Sequence, residues 1–318
     1  MVTGNQTVVV FGGGGFIGRH LVRRLGKTGA VVRVPSRHVS RLAFLRTAGV
    51  VGQIVPEIVG AFDDKELTAA IRGADIVINL IGILAEDRRN SFERLHTTVA
   101  GRIAAAAAAT GVKQLIHVSA IGADAHSTSA YARSKAAGEE AVKAAFPQAT
   151  IVRPSIIFGP EDKFFNRFAA MAQISPALPL IGGGHTKFQP VYVGDVADGI
   201  MAAIANPAAA GRTYEFGGPE VYEFRDLMKL LLAEMGVSRL LVPLPWAVAR
   251  FQARIMEYVP GKPLTRDQVE LLKTDNVLSG AAPGLADLGV RPTAAELILP
   301  TFMDRFRKGG RTGQRAYP

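Results

Sequence analysis

The sequence predicts an α/β fold built on a doubly wound parallel sheet, and three observations carry that expectation. Short apolar runs alternate with helix-like stretches through the first half of the chain. These runs are continuously apolar, as in strands buried on both faces. The first of them, residues 7–11 (TVVVF), leads at once into Gly12, Gly13, Gly14, Gly15 and, past Phe16 and Ile17, Gly18. A strand, a glycine turn and a helix in that order open a Rossmann-type dinucleotide-binding sheet.

Taken in order, the expected strands are residues 7–11, 31–34, 54–59, 75–80, 114–118 and 150–152, with helices over 19–25, 64–72 and the alanine-rich 102–110. Right-handed crossovers then place helices on both faces of the sheet. Alanine is a strong helix former with little bulk, so residues 102–110 are expected to pack closely on the strands. Past Gly159 and Pro160 the rhythm changes, because prolines and glycines interrupt the chain repeatedly. The expected organisation is a nucleotide-binding domain over 1–160 with 188–218 returning to it. A smaller, discontinuous part, substrate-like or partner-docking, covers 161–187 and 219–303, and a basic, flexible and solvated tail follows over 304–318.

Composition narrows the function classes. Hydrophobic residues make up 48% and charged residues 20% of 318, a globular balance. Cysteine is absent, which excludes disulfides, thiolate metal sites and cysteine nucleophiles. No apolar run approaches the ~18 residues of a membrane span, and the apolar residues 7–11 lack the basic lead of a signal peptide. The formal charge is +10, and Arg305, Arg307, Lys308, Arg311 and Arg315 supply half of it with no acid among them. Two readings of this tail stay open, docking to an acidic protein or lipid surface and plain solubilisation. Nucleic acid is not an expected partner, since Phe306 is a lone aromatic between Arg305 and Arg307 and no aromatic-interleaved basic platform accompanies it.

Gly12, Gly15 and Gly18 stand at three-residue spacing between strand and helix, where backbone N–H groups, including those of Phe16 and Ile17, approach a pyrophosphate. At the end of the second strand, eighteen residues after Gly18, stands Ser36, followed by Arg37. A hydroxyl and a guanidinium there suit a ribose 2′-phosphate better than bare ribose hydroxyls, so NADPH is the expected cofactor. Arg41 either joins that site or is a solvated surface charge. Asp63 is either an adenine contact or a helix cap. Leu80, Ile81 and Gly82 are expected beneath the nicotinamide-side ribose. Ser119 ends the fifth strand twelve residues before Tyr131, and Lys135 follows Tyr131 by one helical turn. In an active reading Tyr131 is general acid or base, Lys135 lowers its pKa and holds the ribose, and Ser119 positions a substrate oxygen. In a structural reading the same groups hold only the cofactor. His96 and His117 have no second ligand at useful spacing and are expected to pack in the core.

Several segments together resemble the extended short-chain dehydrogenase/reductase superfamily. They are the glycine turn, Ser119, Tyr131 with Lys135, residues 153–160 (RPSIIFGP), 189–196 (QPVYVGDV) and 214–219 (YEFGGP), and they cover about residues 7–220. The resemblance implies cofactor contacts for Pro154 and Ile156. Residues 158–168, 265–276 and 283–290 further resemble the NADPH-binding accessory-subunit family of respiratory complex I (NADH:ubiquinone oxidoreductase). That resemblance implies a tightly held NADPH with a structural role and no established turnover. It also implies complex I subunits as partners and peripheral membrane contact near the junction of the two arms, on the cytoplasmic face of a bacterial inner membrane or the matrix side in an organelle. Two positions depart from the enzyme pattern: Phe11 stands where Thr is usual, and Thr98 where an active-site Asn often stands. The alternative is a free NADPH-dependent reductase, epimerase or isomerase. Trp246, Phe251, Ile255 and Val259 recur at helical spacing, and the helix either packs inside the smaller part or lies against a membrane or partner.

Overall fold

The computed structural model describes residues 2–60 and 62–307. Seven parallel strands form the main sheet: β1 (Thr7–Phe11), β2 (Val31–Ser36), β3 (Ile54–Ile58), β4 (Ile76–Asn79), β5 (Gln114–Val118), β6 (Thr150–Pro154) and a last strand at Thr213–Phe216. Their spatial order is Thr213–Phe216, β6, β5, β4, β1, β2, β3. The chain therefore runs outward from β1 to β3, then restarts on the other side of β1 at β4. This reversal opens a crevice at the carboxyl ends of β1 and β4, where such sheets bind ligands. Register pairs Phe11 with Asn79 and Asn79 with His117, so these residues share one sheet face and one row.

Helices α2 (Asp64–Ile71), α3 (Val99–Ala109) and α4 (Ala130–Ala145) cover the face bearing Val9, Phe11, Val77, Leu115 and Ile151. Asp63 caps α2 by accepting from the Glu66 N–H at 2.8 Å, and Ser129 caps α4 by accepting from the Ala132 N–H at 3.3 Å. The alanines of α3 pack as expected: Ala104, Ala106 and Ala107 are buried. A π-helical turn, Glu93–Thr98, runs straight into α3. The opposite face carries α1 (Phe16–Gly26) and the helix Val193–Ala205, joined by the Arg24 guanidinium on Asp198 at 2.6 and 2.8 Å.

The contacts divide the chain into two compact units, the first comprising residues 1–154, 193–216 and 279–291 and the second the remainder. The expected boundaries differ at their edges. Residues 155–160, 188–192 and 217–218 fall in the second unit, while 279–291 joins the first, where Ser279 N–H donates to Glu215 at 2.7 Å and the Pro283 carbonyl accepts from Glu215 N–H at 2.9 Å.

Aromatic packing makes the core of the second unit. Phe164 meets Phe165, Phe168, Phe188 and Phe224 at centroid distances of 5.1–6.0 Å. Asp162 organises the turn beside them, its carboxylate accepting from the N–H groups of Gly159, Phe164 and Asn166 at 2.9–3.2 Å. Burial raises its pKa against those bonds. Residues 265–276 also acquire a physical task. Thr265 and Gln268 form a capping box for the helix Arg266–Leu271. Asn276 then accepts at Oδ1 from the Ser155 hydroxyl (2.7 Å) and the Ile156 N–H (2.8 Å).

The tail differs from its expectation where it is described. Asp304–Phe306 forms a 3₁₀ turn. Arg305 donates to the Pro160 carbonyl at 2.8 Å and to Asn166, and Arg307 to the Glu234 carbonyl at 2.6 Å. Carbonyls more than seventy residues away hold these two cations, so the basic run is not uniformly solvated. Lys308, Arg311 and Arg315 lie outside the described residues. Among the described residues no helix is long and apolar enough to cross a membrane.

Asn276→Ala is expected to destabilise the second unit by about 1–3 kcal/mol, since it strips the acceptor from the Ile156 N–H, while the Ser155 hydroxyl keeps the residue 276 carbonyl at 2.9 Å. Urea unfolding measures this, and a loss below about 0.5 kcal/mol, the scale of an ordinary surface substitution, contradicts the clamp.

Candidate functional site

The glycine turn is a backbone-on-backbone contact. Gly12 has φ of 77°, and a Cβ there would stand 3.0–3.2 Å from the Leu80 carbonyl group and the Ile81 nitrogen. A Cβ on Gly18 would stand 2.5 Å from the Gly12 carbonyl oxygen and Gly13 Cα. The first turn of α1 thus seats directly on the exit of β1, beside the exit of β4. The helix begins without a side-chain cap or an acid in its first turn, and its first internal bond is Arg19 N–H to the Gly15 carbonyl at 3.1 Å. The N–H groups of Phe16, Ile17 and Gly18 precede that bond and suit the oxygens of a pyrophosphate.

Ser36, Arg37 and Arg41 stand at the carboxyl edge beyond β2. Ser36 Oγ accepts from His38 N–H at 3.2 Å, and exposed Arg37 donates from Nη1 to Asn90 Oδ1 at 3.2 Å. Arg41 is exposed on the 3₁₀ segment Val39–Ala48. Of the two readings of Asp63, the structure realises the helix cap.

On the face covered by α4, each strand turns from apolar to polar toward its carboxyl end: Val77 to Asn79, Leu115 to His117 and Ser119, Ile151 to Arg153. Over these residues α4 lays Tyr131, Ser134, Lys135 and Glu139, one helical stripe. Lys135 is 5% exposed, and its Nζ donates to the Val118 carbonyl at 3.3 Å. The same Nζ stands 5.9 Å from the Tyr131 ring centroid, and 3.3 Å from where a Cβ on Gly82 would be. Burial lowers its pKa to about 8, against the attraction of Glu139. Glu139 is itself gripped by Arg153 at 2.7 and 2.8 Å.

Hydrogen bonds assign the tautomers of both buried histidines. His96 Nε2 accepts from Ile83 N–H at 3.0 Å, so Nδ1 carries the proton and donates to Ser134 Oγ at 2.8 Å. Ser134 donates in turn to the Tyr131 carbonyl at 2.8 Å. Asn79 Oδ1 accepts from Ile81 N–H at 3.0 Å, which turns its amide nitrogen toward His117 Nδ1 at 3.1 Å and leaves the imidazole proton on Nε2. Burial first, and the Lys135 charge second, lower both histidines to about 3, so both are neutral. His96 also stacks on Phe92 and meets the Tyr131 ring edge-on, both at 5.4 Å. The histidines pack in the core as expected, but they also shape the exit of β4 and seat Tyr131. Spacing carries no signal for that, because each bond links separate elements.

Ser119 Oγ and His117 Nε2, both buried, have no hydrogen-bond partner among the described residues. An unsatisfied hydroxyl beside a buried ammonium, at the carboxyl end of a parallel sheet with a glycine turn, fits a ligand rich in hydroxyl and phosphate oxygens. Gly12, Gly15, Phe16, Ile17, Gly18, Leu80, Ile81, Gly82, Ser119, Tyr131 and Lys135 would hold such a dinucleotide, which brings a hydride carrier to the site when bound. Pro154 ends β6, its carbonyl accepting from Ile121 N–H at 3.0 Å. Ile156 falls in the second unit, where its N–H donates to Asn276 Oδ1 at 2.8 Å and its side chain packs on the aromatic core. Thr98 closes the π turn, and Gly138 of α4 approaches that turn so closely that a Cβ would stand 2.1 Å from the His96 carbonyl oxygen.

Lys135 sets opposite pH trends for stability and binding. Its folded pKa is about 8 and its ordinary value 10.5, so between these the unfolded chain holds a proton the folded chain lacks. The cost of the buried charge is present in full below about pH 8 and is relieved as pH rises toward 10.5. The free chain is therefore expected to gain stability from this group over that window while dinucleotide affinity falls. Lys135→Met should flatten both trends and weaken binding about ten- to a hundredfold, the scale of charge-assisted hydrogen bonds. Calorimetric titration and urea unfolding on both sides of the transition test this; affinity that stays level across it contradicts the assignment.

Comparison with known proteins agrees with this geometry. Residues 8–217 match the NAD dependent epimerase/dehydratase family. The chain is 40% identical over 301 residues to NADH dehydrogenase (ubiquinone) 1 alpha subcomplex subunit 9, mitochondrial, of Mus musculus, covering 94% of this chain and 80% of that protein. It is 32% identical to a ceramide reductase of Caulobacter vibrioides, over 75% of this chain and 73% of that one. Among solved structures, an NADPH-dependent quinone oxidoreductase of Escherichia coli superposes with a TM-score of 0.75 at 18% identity, covering 92% of this chain and 99% of that one, a likeness of fold. The chain belongs to the NAD dependent epimerase/dehydratase family and, within it, to the family of the alpha subcomplex subunit 9 proteins of NADH dehydrogenase (ubiquinone).

Proposed function

We propose that this protein is an NADPH-holding, non-catalytic accessory subunit of a respiratory NADH:ubiquinone oxidoreductase, supporting its assembly or stability near the junction of the peripheral and membrane arms. The observation that carries this reading is its 40% identity, over nearly the whole chain, to a subunit of that name. The choice of NADPH rests on Ser36 and Arg37, which stand where an NAD site would place an acid. The non-catalytic role rests on Thr98 in place of the usual Asn, in a π turn closed off by α4. In this reading Tyr131 and Lys135 grip the nicotinamide ribose.

Membrane contact has its own support in the second unit. Helix Trp246–Met256 buries Ala249 and Ala253 against Ile181 and Val269. It exposes Val248, Phe251 (65%) and Ile255 (56%), followed by Tyr258 and Val259. Ala249, Ala253 and Trp246 do the internal packing, so Trp246 departs from the expected stripe, while Val248, Phe251 and Ile255 face outward with Arg250 and Arg254 beside them. Bulky apolar groups among arginines suit the headgroup layer of an anionic bilayer, and this supports a peripheral membrane contact, which the complex I reading puts on the cytoplasmic face of a bacterial inner membrane or the matrix side in an organelle.

A second reading, a free NADPH-dependent reductase, draws on the intact Ser119, Tyr131 and Lys135 and on the similarity to a ceramide reductase. Gentle solubilisation of native membranes separates the two. Comigration with the respiratory complex is expected, whereas a solely soluble species overturns the first reading. Tyr131→Phe is expected to loosen the bound nucleotide about three- to tenfold, the worth of one hydrogen bond, and to leave comigration unchanged; loss of an NADPH-consuming activity with retained binding supports the reductase. Phe251→Glu together with Ile255→Glu is expected to weaken sedimentation with anionic phospholipid vesicles at least about tenfold, the worth of burying one to two such side chains. Unchanged sedimentation contradicts a role for this helix face.

A further inference from the structure

The sheet order puts β1 between β2 and β4. Arg37 is the first residue beyond β2, and Asn90 lies in the segment leaving β4. Their bond, Arg37 Nη1 to Asn90 Oδ1 at 3.2 Å, joins segments whose strands stand roughly 10 Å apart, two strand spacings, with the exit of β1 between them. That exit is the glycine turn, so the bond forms a strap across the carboxyl end of β1.

Asn90 is held firmly for this purpose. Its Nδ2 donates to both Asp87 oxygens at 3.0 and 2.8 Å, and its N–H to Asp87 Oδ1 at 2.9 Å. Its carbonyl accepts from Asp87 N–H at 2.9 Å, and Arg89 N–H donates to Asp87 Oδ1 at 2.7 Å. These bonds fix the amide with Oδ1 turned to Arg37. The neutral amide oxygen orients the guanidinium without pairing its charge directly, and one hydrogen bond leaves the rest of the Arg37 N–H fork for a ligand. The Asp87 carboxylate behind it has its pKa lowered chiefly by the Asn90 hydrogen bond, the Arg37 charge being one of the weaker causes. A carboxylate in the same place would pair with Arg37 and repel a phosphate.

We propose that Asn90 is a specificity-determining positioning residue: by holding Arg37 across the end of β1 it aims the guanidinium at the adenosine 2′-phosphate and sets the preference for NADPH over NADH. This rests on the NADPH reading above. Asn90 acts through Arg37 and touches no reacting atom.

The test is equilibrium titration of the full chain with NADPH and with NADH, for wild type, Asn90→Ala, Arg37→Ala and the double variant. Asn90→Ala should weaken NADPH about five- to tenfold, the scale of an ordinary hydrogen bond because Asn90 acts only through the placement of Arg37, and leave NADH within about twofold. In the Arg37→Ala background it should change nothing further, because its effect passes through Arg37. Asn90→Asp, which keeps the acceptor and adds a charge, should lower NADPH preference while sparing NADH. Equal losses for both dinucleotides, or an undiminished effect without Arg37, overturn the role of Asn90 alone. A wild-type chain that does not prefer NADPH, with Arg37→Ala silent, overturns the NADPH reading and this inference together.

Discussion

The first unit is organised around one buried cation. Lys135 sits under α4 with a single carbonyl, that of Val118, in hydrogen-bond reach among the described residues. Burying an ammonium is costly unless opposite charge and acceptors surround it. Glu139, one turn along, supplies the charge, and Arg153 shares and orients that carboxylate. His96 and His117 stay neutral beside it, so no second positive charge adds to the cost. The N–H groups that remain on Lys135, with the unpartnered Ser119 hydroxyl, call for oxygen acceptors. Ribose hydroxyls meet that demand, which makes nucleotide binding the natural completion of the site.

The rest of the unit delivers a nucleotide to that cation. Gly12 and Gly18 let α1 seat on the exit of β1, so the helix N-terminus faces the same edge of the sheet as Ser119 and Lys135. The bond from His96 to Ile83 and that from Asn79 to Ile81 shape the exit of β4 on the other side of the crevice. Tyr131 is seated through Ser134 and His96. None of these contacts distinguishes a working reductase from a nucleotide-binding subunit. The separating features are Thr98 in this unit and, in the second, a helix that turns Phe251 and Ile255 outward.

Much of this was legible in the sequence wherever the cause is local. Strands β1 and β5 have the bounds that their apolar runs predict, and the glycine spacing located the first turn. The apolar run 31–34 stops short of the full β2, which continues through Pro35 to Ser36, the residue already expected at its carboxyl end. Helix α3 starts three residues before its expected start, although Phe92, Leu95 and Val99 recur at helical spacing through the π turn. What could not be read depends on partners far along the chain. Ile156 loses its N–H to a residue 120 positions away, and Arg305 and Arg307 dock on carbonyls 145 and 73 positions away. The tautomers of His96 and His117 likewise follow from backbone groups that spacing cannot pair with them.

If NADPH is a resident group of this site, mass spectrometry of the nucleotide released by denaturing protein isolated from its native membranes is expected to find stoichiometric NADPH that survives extensive washing before denaturation. Finding no nucleotide, or NAD⁺ in its place, would contradict it.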